Sequence, residues 1–353
     1  MSAALSRCDV AVIGLGPAGA CAAEAAARAG ARVIAIDRRL RPGLPVQCAE
    51  LVPQGLALAL GALDGATRQP IRQMSTCIEN DPSVDSTGFC GWMIDRAAFD
   101  RLAVEAACAS GAECRFGVAC RAVEAGGQIR LNDGSILDAA AIVAADGPRS
   151  TMGHAIGLSN ERLIQTRQIA VPLTRASEVS EIYLTQGLPG GYGWLFPSQS
   201  RANLGVGATR TDAHGLKCQL DALRLRLLRA GPIGAEILGV TGGAIPAGGI
   251  VGPIGKVGAV PVLLAGDAAG LANPVTGAGI AAAVMSGKLA GKAAAALASG
   301  DADAAADYAE EIFDLFGPSL DRALARAEER RGADCSAPDW RRSWVAFPEY
   351  WQG

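Results

Sequence analysis

The chain is poor in the residue types that carry most hydrolytic and metal chemistry. Its 353 residues include two histidines, His154 and His214. Ten cysteines are present, yet none form a CxxC pair, so zinc-ligand spacing is absent and no metal site is expected. A Ser-His-Asp arrangement would need one of the two histidines, and neither lies in a nucleophile motif. Net charge is −3 with no basic block, which argues against a nucleic-acid partner. No uncharged run reaches the ~18 apolar residues of a membrane span. The stretch opening at Gly279 comes closest, and Lys288 and Lys292 interrupt it. No signal peptide is visible before Arg7-Cys8-Asp9, so a cytoplasmic setting with reduced thiols is expected.

What is plentiful is glycine and apolar side chains. Half of the residues are hydrophobic and 45 are glycine, while aromatics make up only 5%. That suits tightly packed helix and sheet, and the length suits two compact units. Two glycine-rich segments stand at opposite ends of the chain. The first, Val12-Ile13-Gly14-Leu15-Gly16-Pro17-Ala18-Gly19, follows an apolar run from Val10. Gly14 allows the tight turn out of a buried strand. Gly16 lets backbone approach a pyrophosphate, and Gly19 lets helix and strand pack closely. An alanine-rich helix over 18–29 follows, and its N-terminal amides favour phosphate. A second strand, 31–36, runs into Asp37, the position expected for a carboxylate that takes ribose hydroxyls. The order strand, turn, helix, strand, acid points to a dinucleotide.

The second segment is Leu264-Ala265-Gly266-Asp267-Ala268-Ala269-Gly270, continuing through Pro274 to Gly277 and Gly279. It follows an apolar strand over 260–264, and ligands bind at such strand ends in open α/β sheets. Asp267 can accept a hydrogen bond from a ribityl hydroxyl. Pro274, Gly277 and Gly279 let backbone approach a flat ring, and a helix runs from Gly279 to about Ala298. Together the two segments indicate FAD, held at the pyrophosphate by one and at the ribityl and flavin ring by the other.

A third element lies between them. A strand over 141–144 leads into Ala145-Asp146-Gly147-Pro148-Arg149-Ser150. The set resembles the FAD-dependent family that includes p-hydroxybenzoate hydroxylase and the geranylgeranyl reductases. The resemblance implies that Asp146 and Gly147 lie close to the cofactor. It also implies that Arg96, in Ile94-Asp95-Arg96-Ala97-Ala98-Phe99-Asp100, opens a helix and contacts it. Two segments narrow the resemblance to the geranylgeranyl reductase branch. Pro45-Val46-Gln47-Cys48-Ala49-Glu50 stands where that branch carries a cysteine motif near the isoalloxazine. Gly191-Tyr192-Gly193-Trp194-Leu195-Phe196-Pro197 looks like its YxWxFP element. Arg38, Gln47 and Cys48 therefore join the cofactor-binding set, and Tyr192, Trp194 and Phe196 are expected to line a substrate pocket on one strand face. Cys48 is the single catalytic candidate, with an inert packed thiol as its alternative.

The expected fold is α/β: a Rossmann-like FAD-binding domain with an inserted β-rich substrate domain, p-hydroxybenzoate hydroxylase-like. Residues 1–70, 95–160 and 250–300 form the first domain, and 71–94 and 161–249 the second. Within them, 71–78 and 89–94 read as one strand pair. The runs 113–125, 128–131 and 135–140 read as a three-strand meander. Strands are expected over 165–173, 181–185, 192–196 and 202–208, and a helix over 212–230. The remaining 301–353 holds helical segments and then Trp340, Trp344, Phe347, Tyr350 and Trp351, which either dock on the body or serve as a lid or partner surface.

The leading functional reading is an FAD-dependent reductase of a carbon–carbon double bond in an apolar, isoprenoid-like substrate, the substrate class coming from the resemblance. The chain is short after the last family helix, which speaks against a long isoprenoid tunnel. The external reductant is NAD(P)H or an electron carrier, since no second dinucleotide motif is present. One alternative is an FAD-dependent monooxygenase acting on an aromatic group, a protein-bound tryptophan included. Another is a non-catalytic flavin-binding protein with a partner at its aromatic tail.

Overall fold

The computed structural model describes residues 5–55, 65–209, 213–330 and 337–352. Its helices are α1 (Pro17–Arg28), α2 (Arg96–Ala109), α3 (Thr151–Ala155), α4 (Ala213–Ala230), α5 (Ile280–Ala298), α6 (Ala304–Glu329) and α7 (Ala337–Arg342). Asp212, expected to open α4, lies outside the described residues. The chain is a Rossmann-like α/β fold with an inserted β-rich part.

One sheet has the strand order 254–257, 260–264, 136–144, 5–13, 33–37, 113–116. Its four central strands are parallel, and Ile13 is level with both Ile36 and Ala144, as Ala144 is with Leu264. These strands are apolar on both faces because helices cover them, as parallel sheets require. Four turns, after Ile13, Ile36, Ala144 and Leu264, therefore open on one sheet edge. A second, seven-stranded sheet runs 239–246, 163–172, 201–208, 192–198, 179–184, 73–78, 84–86. Helix α4 packs Leu216, Leu220 and Leu227 on one face of it. A small third sheet joins Leu51–Pro53, Gly91–Ile94 and Thr67–Ile71.

Several sequence expectations change here. Of the expected pair 71–78 and 89–94, only Ile71 meets Gly91, and residues 73–78 pair elsewhere. Gly91–Ile94 pairs with Thr67–Ile71 in the small sheet, while Gln73–Ile78 crosses to lie parallel to Val179–Leu184. The break is Arg72, whose N–H bonds to Glu178 O at 2.9 Å. The expected three-strand meander is present, and only its first strand starts later. Glu113–Phe116 joins the large sheet beside Val33–Asp37, and Gly117, at φ +75°, turns the chain before Cys120–Val123 begins. The segments 135–140 and 141–144 are one nine-residue strand, Ile136–Ala144. Gly239–Pro246 forms an edge strand that its glycines hide in sequence.

Helices α1 and α5 bring the two ends of the chain together. A Cβ placed at Gly287 would lie 2.2 Å from Ala18 O, and one at Gly291 would lie 2.2 Å from Ala22 O. The four-residue spacing puts both glycines on one stripe of α5, and the alanines of α1 meet them. Among the described helices α5 alone is long and apolar enough to cross a membrane, and 44% of that window is buried inside the fold.

The C-terminal aromatics dock on the body. Trp340, Trp344, Val345, Phe347 and Tyr350 are buried in one cluster with Trp194, Phe196, Ile71, Met93 and Val275. Full burial of such a side chain contributes about 1.5–3 kcal/mol. Three arginines spaced by four residues, two in α6 and Arg330 just past its end, add to this. Arg322 lies over Trp351, Arg330 over Trp344, and Arg326 donates to the carbonyls of Tyr350 and Gln352. Trp351 itself stays exposed.

Gly287→Val should destabilise the protein by at least about 3 kcal/mol in denaturant unfolding, because the added atoms meet backbone that cannot yield. Gly317→Ala is the contrast. It lies inside α6, where an added Cβ meets nothing within 4 Å. Only the ring of Pro318, the next residue, would crowd the new Cβ in helical backbone, so stability should change by less than about 1 kcal/mol.

Candidate functional site

The first turn is shaped by what it lacks. Gly14 sits at φ +96°, and a Cβ there would lie 2.3 Å from Ala145 O. A Cβ at Gly19 would lie 1.7 Å from Gly14 O. Strand, turn and helix thus meet through backbone. Gly16 is the N-cap of α1, no side chain caps that end, and Pro17 and Ala18 open the helix. The space beside Gly16 holds only the Arg39 guanidinium, 3.7 Å from a Cβ position. Uncapped amides, a positive helix end and a nearby cation suit a pyrophosphate.

Asp37 is buried beside this turn. It accepts hydrogen bonds from Leu15 N at 2.8 Å, from Arg39 N at 2.8 Å and from Arg39 Nη2 at 2.9 Å. Burial works against its charge, but Arg39 and the two backbone amides outweigh that and hold its carboxyl below the usual range. The neighbouring cation is therefore Arg39, and Arg38 is exposed. Arg39 also reaches Asp100 at 4.0 Å, and Arg96 grips Asp100 at 2.7 Å. A chain of alternating charge, Asp37–Arg39–Asp100–Arg96, lines one side of the cleft. Arg39 and Asp100 were missed in sequence, although Asp100 stands four residues after Arg96 on a helix, a spacing that brings side chains together.

The second segment folds against the first. A Cβ at Gly266 would lie 3.0 Å from the Cβ of Ala18. Gly266 N donates to Ser286 Oγ, which anchors the turn to α5. Asp267 has a carboxylate with no hydrogen bond from any described residue, and a Cβ at Gly279 would lie 3.2 Å from its Oδ1. Burial pushes the Asp267 carboxyl up to about 6, and Arg96 pulls against that rise. Its backbone is held by Asn160, whose amide donates to Asp267 O at 2.8 Å. Gly279 caps α5 without a side-chain hydrogen bond. Pro274 is buried and Gly277, at φ +69°, packs toward Ile245. An unpartnered carboxylate, an open helix start and a ring-sized stretch of bare backbone fit the ribityl chain and flavin ring of FAD.

The Asp-Gly turn contributes differently from expectation. Asp146 spends its carboxylate on Ser150 Oγ, Thr151 N at 2.7 Å and Met152 N at 3.3 Å, so it holds the start of α3, whose N-cap is Ser150. Gly147, at φ +86° with open space around it, leaves only backbone to face the cleft.

The cysteine motif is stapled across the seven-stranded sheet. Gln47 Nε2 donates to Gly242 O at 3.1 Å, and Thr241 Oγ1 to Val46 O at 2.6 Å. Gln168 Nε2 donates to Cys48 O at 3.1 Å, and its Oε1 accepts from Trp194 Nε1 at 3.0 Å. Glu50, buried at φ +67°, accepts from Arg96 N at 3.1 Å and from Asn203 Nδ2 at 3.0 Å. The Cys48 sulfur receives the Glu50 N–H at 3.2 Å and lies against the Arg96 guanidinium. Gln168, Asn203 and Glu50 were not singled out in sequence. Nothing in their spacing marks them, because Gln168 reaches Cys48 and Asn203 reaches Glu50 across more than a hundred residues.

Tyr192, Trp194 and Phe196 share one strand and one face. Tyr192 Oη donates to Thr276 O at 2.5 Å, so this strand is tied to the loop between Pro274 and Gly279. Trp344 meets Tyr192 edge-on at 4.9 Å, and Trp194 stacks toward Phe196 at 6.3 Å. The face is filled by the chain's own C-terminal aromatics. Among the described residues there is no metal-ligand cluster, and nine cysteines are free thiols.

No family model matches the chain. A digeranylgeranylglycerophospholipid reductase of Methanothrix thermoacetophila is 31% identical over 301 residues, covering 78% of this chain and 74% of its own. A geranylgeranyl bacteriochlorophyll reductase-like protein of Thermoplasma acidophilum superposes with a TM-score of 0.84 at 24% identity, over 96% of this chain and 90% of that one. A probable FAD-dependent monooxygenase from Pseudomonas aeruginosa superposes with a TM-score of 0.71 at 21% identity, over 93% and 98%. The last two likenesses show the fold. By its sequence relatives, the chain belongs to the digeranylgeranylglycerophospholipid reductase family of FAD-dependent oxidoreductases.

Proposed function

We propose that this chain binds FAD across the edge shared by its four parallel strand ends and reduces a carbon–carbon double bond of an apolar substrate. The observation that carries the reading is the contact of the two glycine-rich segments, Gly266 against Ala18, with an unpartnered carboxylate at one end of the cleft and an uncapped helix at the other. When bound, FAD supplies the hydride, and the protein supplies position and surroundings.

Gly14, Gly16, Pro17, Ala18 and Gly19 would cradle the pyrophosphate through the amides of α1. Arg39 would share its charge between that pyrophosphate and Asp37, which would take the ribose hydroxyls. Asp267 would accept from the ribityl chain, and the start of α5 would face the pyrimidine end of the ring. Gly147, Gly277 and Gly279 would offer backbone to its edges. Arg96 would stand beside the ring and hold the Cys48 loop in place. Cys48 is the thiol at the meeting point of Arg96 and the substrate sheet, and it would orient the alkene or deliver the proton that completes reduction. The monooxygenase alternative has the shared fold in its favour and no residue of its own in this cleft.

Asp267→Ala and Gly14→Val should each release FAD. Losing a hydrogen bond to a charged group is worth about 1.5–3 kcal/mol, or roughly 10–100-fold in affinity. The flavin-to-protein absorbance ratio after gel filtration reads this directly, and full occupancy in both variants would remove the assignment of the two segments.

A pH effect follows from Asp267. Its folded carboxyl is raised from 3.8 to about 6, so the folded state holds this proton more tightly than the unfolded state. The contribution is fully present below about pH 3.8 and is lost as pH rises through about 6. Cofactor-stripped protein should therefore lose melting temperature across that window, and Asp267→Asn should flatten the dependence.

The reaction is tested with anaerobically reduced holoenzyme and an apolar alkene, the product being two hydrogens heavier by mass spectrometry. Cys48→Ser should keep its FAD and turn over more slowly. Oxygen-dependent hydroxylation of an aromatic compound, with no alkene reduced, would transfer the assignment to the monooxygenase class.

A further inference from the structure

Strand 163–172 sends alternate side chains to opposite faces of the seven-stranded sheet. Gln168 reaches the Cys48 loop on one face. Arg167, its neighbour, therefore points to the other, where Ile169, Val171 and Val206 pack against Leu216 of α4. The edge strand 239–246 sets Gly242 level with Arg167 and Val240 level with Ile169. A Cβ at Gly242 would lie 2.5 Å from Thr166 O, so this position stays bare. A cavity of about 350 Å³ opens beside it, lined by Gln165, Arg167, Leu216, Val240 and Gly242.

The cavity has a cationic end and an apolar end. The half-buried Arg167 guanidinium makes no hydrogen bond, ion pair or ring contact with any described residue. Buried or partly buried charges are ordinarily paired, and a guanidinium offers a fork of N–H donors to a bidentate oxyanion. Gln165 Oε1 accepts from Arg149 Nη2 at 3.2 Å, which leaves the Gln165 NH2 group to donate and brings a second guanidinium to the same end. Among the described residues that line the cavity there is no carboxylate. Leu216 and Val240 supply the apolar wall. Val240 is 64% exposed and Leu238, two residues earlier on the same edge, is 48% exposed, so apolar surface continues outward from the mouth.

We propose that this cavity is a second ligand site, on the opposite face of the sheet from the Cys48 loop, and that it binds a soluble phosphate monoester carrying a short apolar chain. Such a group bears about two negative charges near neutral pH, which two guanidinium groups can share. Ligand pockets span roughly 300–1,000 Å³, and this one lies at the small end, so the chain is short and a lipid with two long chains does not fit. The site is independent of the reductase reading, because none of its residues belongs to the flavin cleft.

The full chain, saturated with FAD, is titrated calorimetrically with hexyl phosphate, inorganic phosphate, hexanol and hexyltrimethylammonium. Hexyl phosphate should bind at least about tenfold more tightly than inorganic phosphate, because its methylenes are buried. It should exceed hexanol and the cationic probe by at least about the same factor, because its head makes charge-assisted hydrogen bonds. Arg167→Gln should weaken hexyl phosphate at least about tenfold, and Arg167→Lys should restore part of the loss, since it keeps the charge without the fork. Val240→Asp, at an exposed position, should weaken it as much, with FAD content and melting temperature unchanged. The flavin absorption spectrum should stay constant throughout. Hexyl phosphate binding that is undiminished in both Arg167→Gln and Val240→Asp, or that perturbs the flavin spectrum, puts the ligand elsewhere and overturns the proposal. So does a wild-type protein that binds no hexyl phosphate at millimolar concentration, or binds it no better than inorganic phosphate, whether or not either variant folds.

Discussion

Backbone-to-backbone contact between α1 and α5 is the constraint on which the cleft depends. Gly287 and Gly291 let α5 lie against Ala18 and Ala22 without intervening side chains. That approach sets Gly287, about two turns into α5, level with the first turn of α1, so that the start of α5 projects past it. It also carries Gly266 to within a van der Waals contact of Ala18, though they are far apart along the chain. Any side chain at the two α5 glycines would part the helices, and the two glycine-rich segments would part with them. The abundance of glycine and alanine is therefore a geometric requirement, since small residues allow close helix approach while the β-branched and long apolar residues fill the sheet.

The electrostatics follow from the same closeness. Asp37 and Asp100 are buried, and each is satisfied by an arginine that also faces the cleft. The cations stay in place without a ligand, because burial is tolerable for a charge only when it is paired. Asp267 is the exception: its carboxylate has no partner among the described residues and its proton affinity rises. A group left in that state at the end of a parallel strand is where a ligand's hydroxyl is expected. The seven-stranded sheet is tied on by side-chain amides and one buried carboxylate instead. Gln168 ties Trp194 to the Cys48 loop, and Glu50 ties the start of α2 to Asn203, so the two sheets are joined at the Cys48 loop.

Much of the nucleotide half was legible because its signals are local. The Gly14–Gly19 turn, Asp37 and α1 lie within some thirty residues, and a strand's apolar run or a helix's alanines declare themselves in any context. The Asp267 turn was legible for the same reason. Arg38 was the arginine expected at the cofactor, and the turn after Asp37 folds the adjacent Arg39 back on that carboxylate, a choice that two neighbouring arginines do not reveal in sequence. Asp146 was assigned to the cofactor by family resemblance, whereas the local turn sends its carboxylate to the α3 amides. The strand breaks at Arg72 and Gly117 were missed because apolar alternation gives a strand its faces and does not name its neighbour.

By itself, the sequence determined the fold class, the dinucleotide turn, the run of small residues along α1 and α5, and the common face of Tyr192, Trp194 and Phe196. These depend on interactions between residues near one another in the chain or on a single period. The tertiary structure alone decided that the C-terminal tryptophans fill that face, that Gln168 and Glu50 lock the Cys48 loop, and that Asp100 is shared between two arginines. Those are contacts between distant segments. Their energy comes from burial and from pairing in a low-dielectric interior, and neither exists until the whole chain has closed.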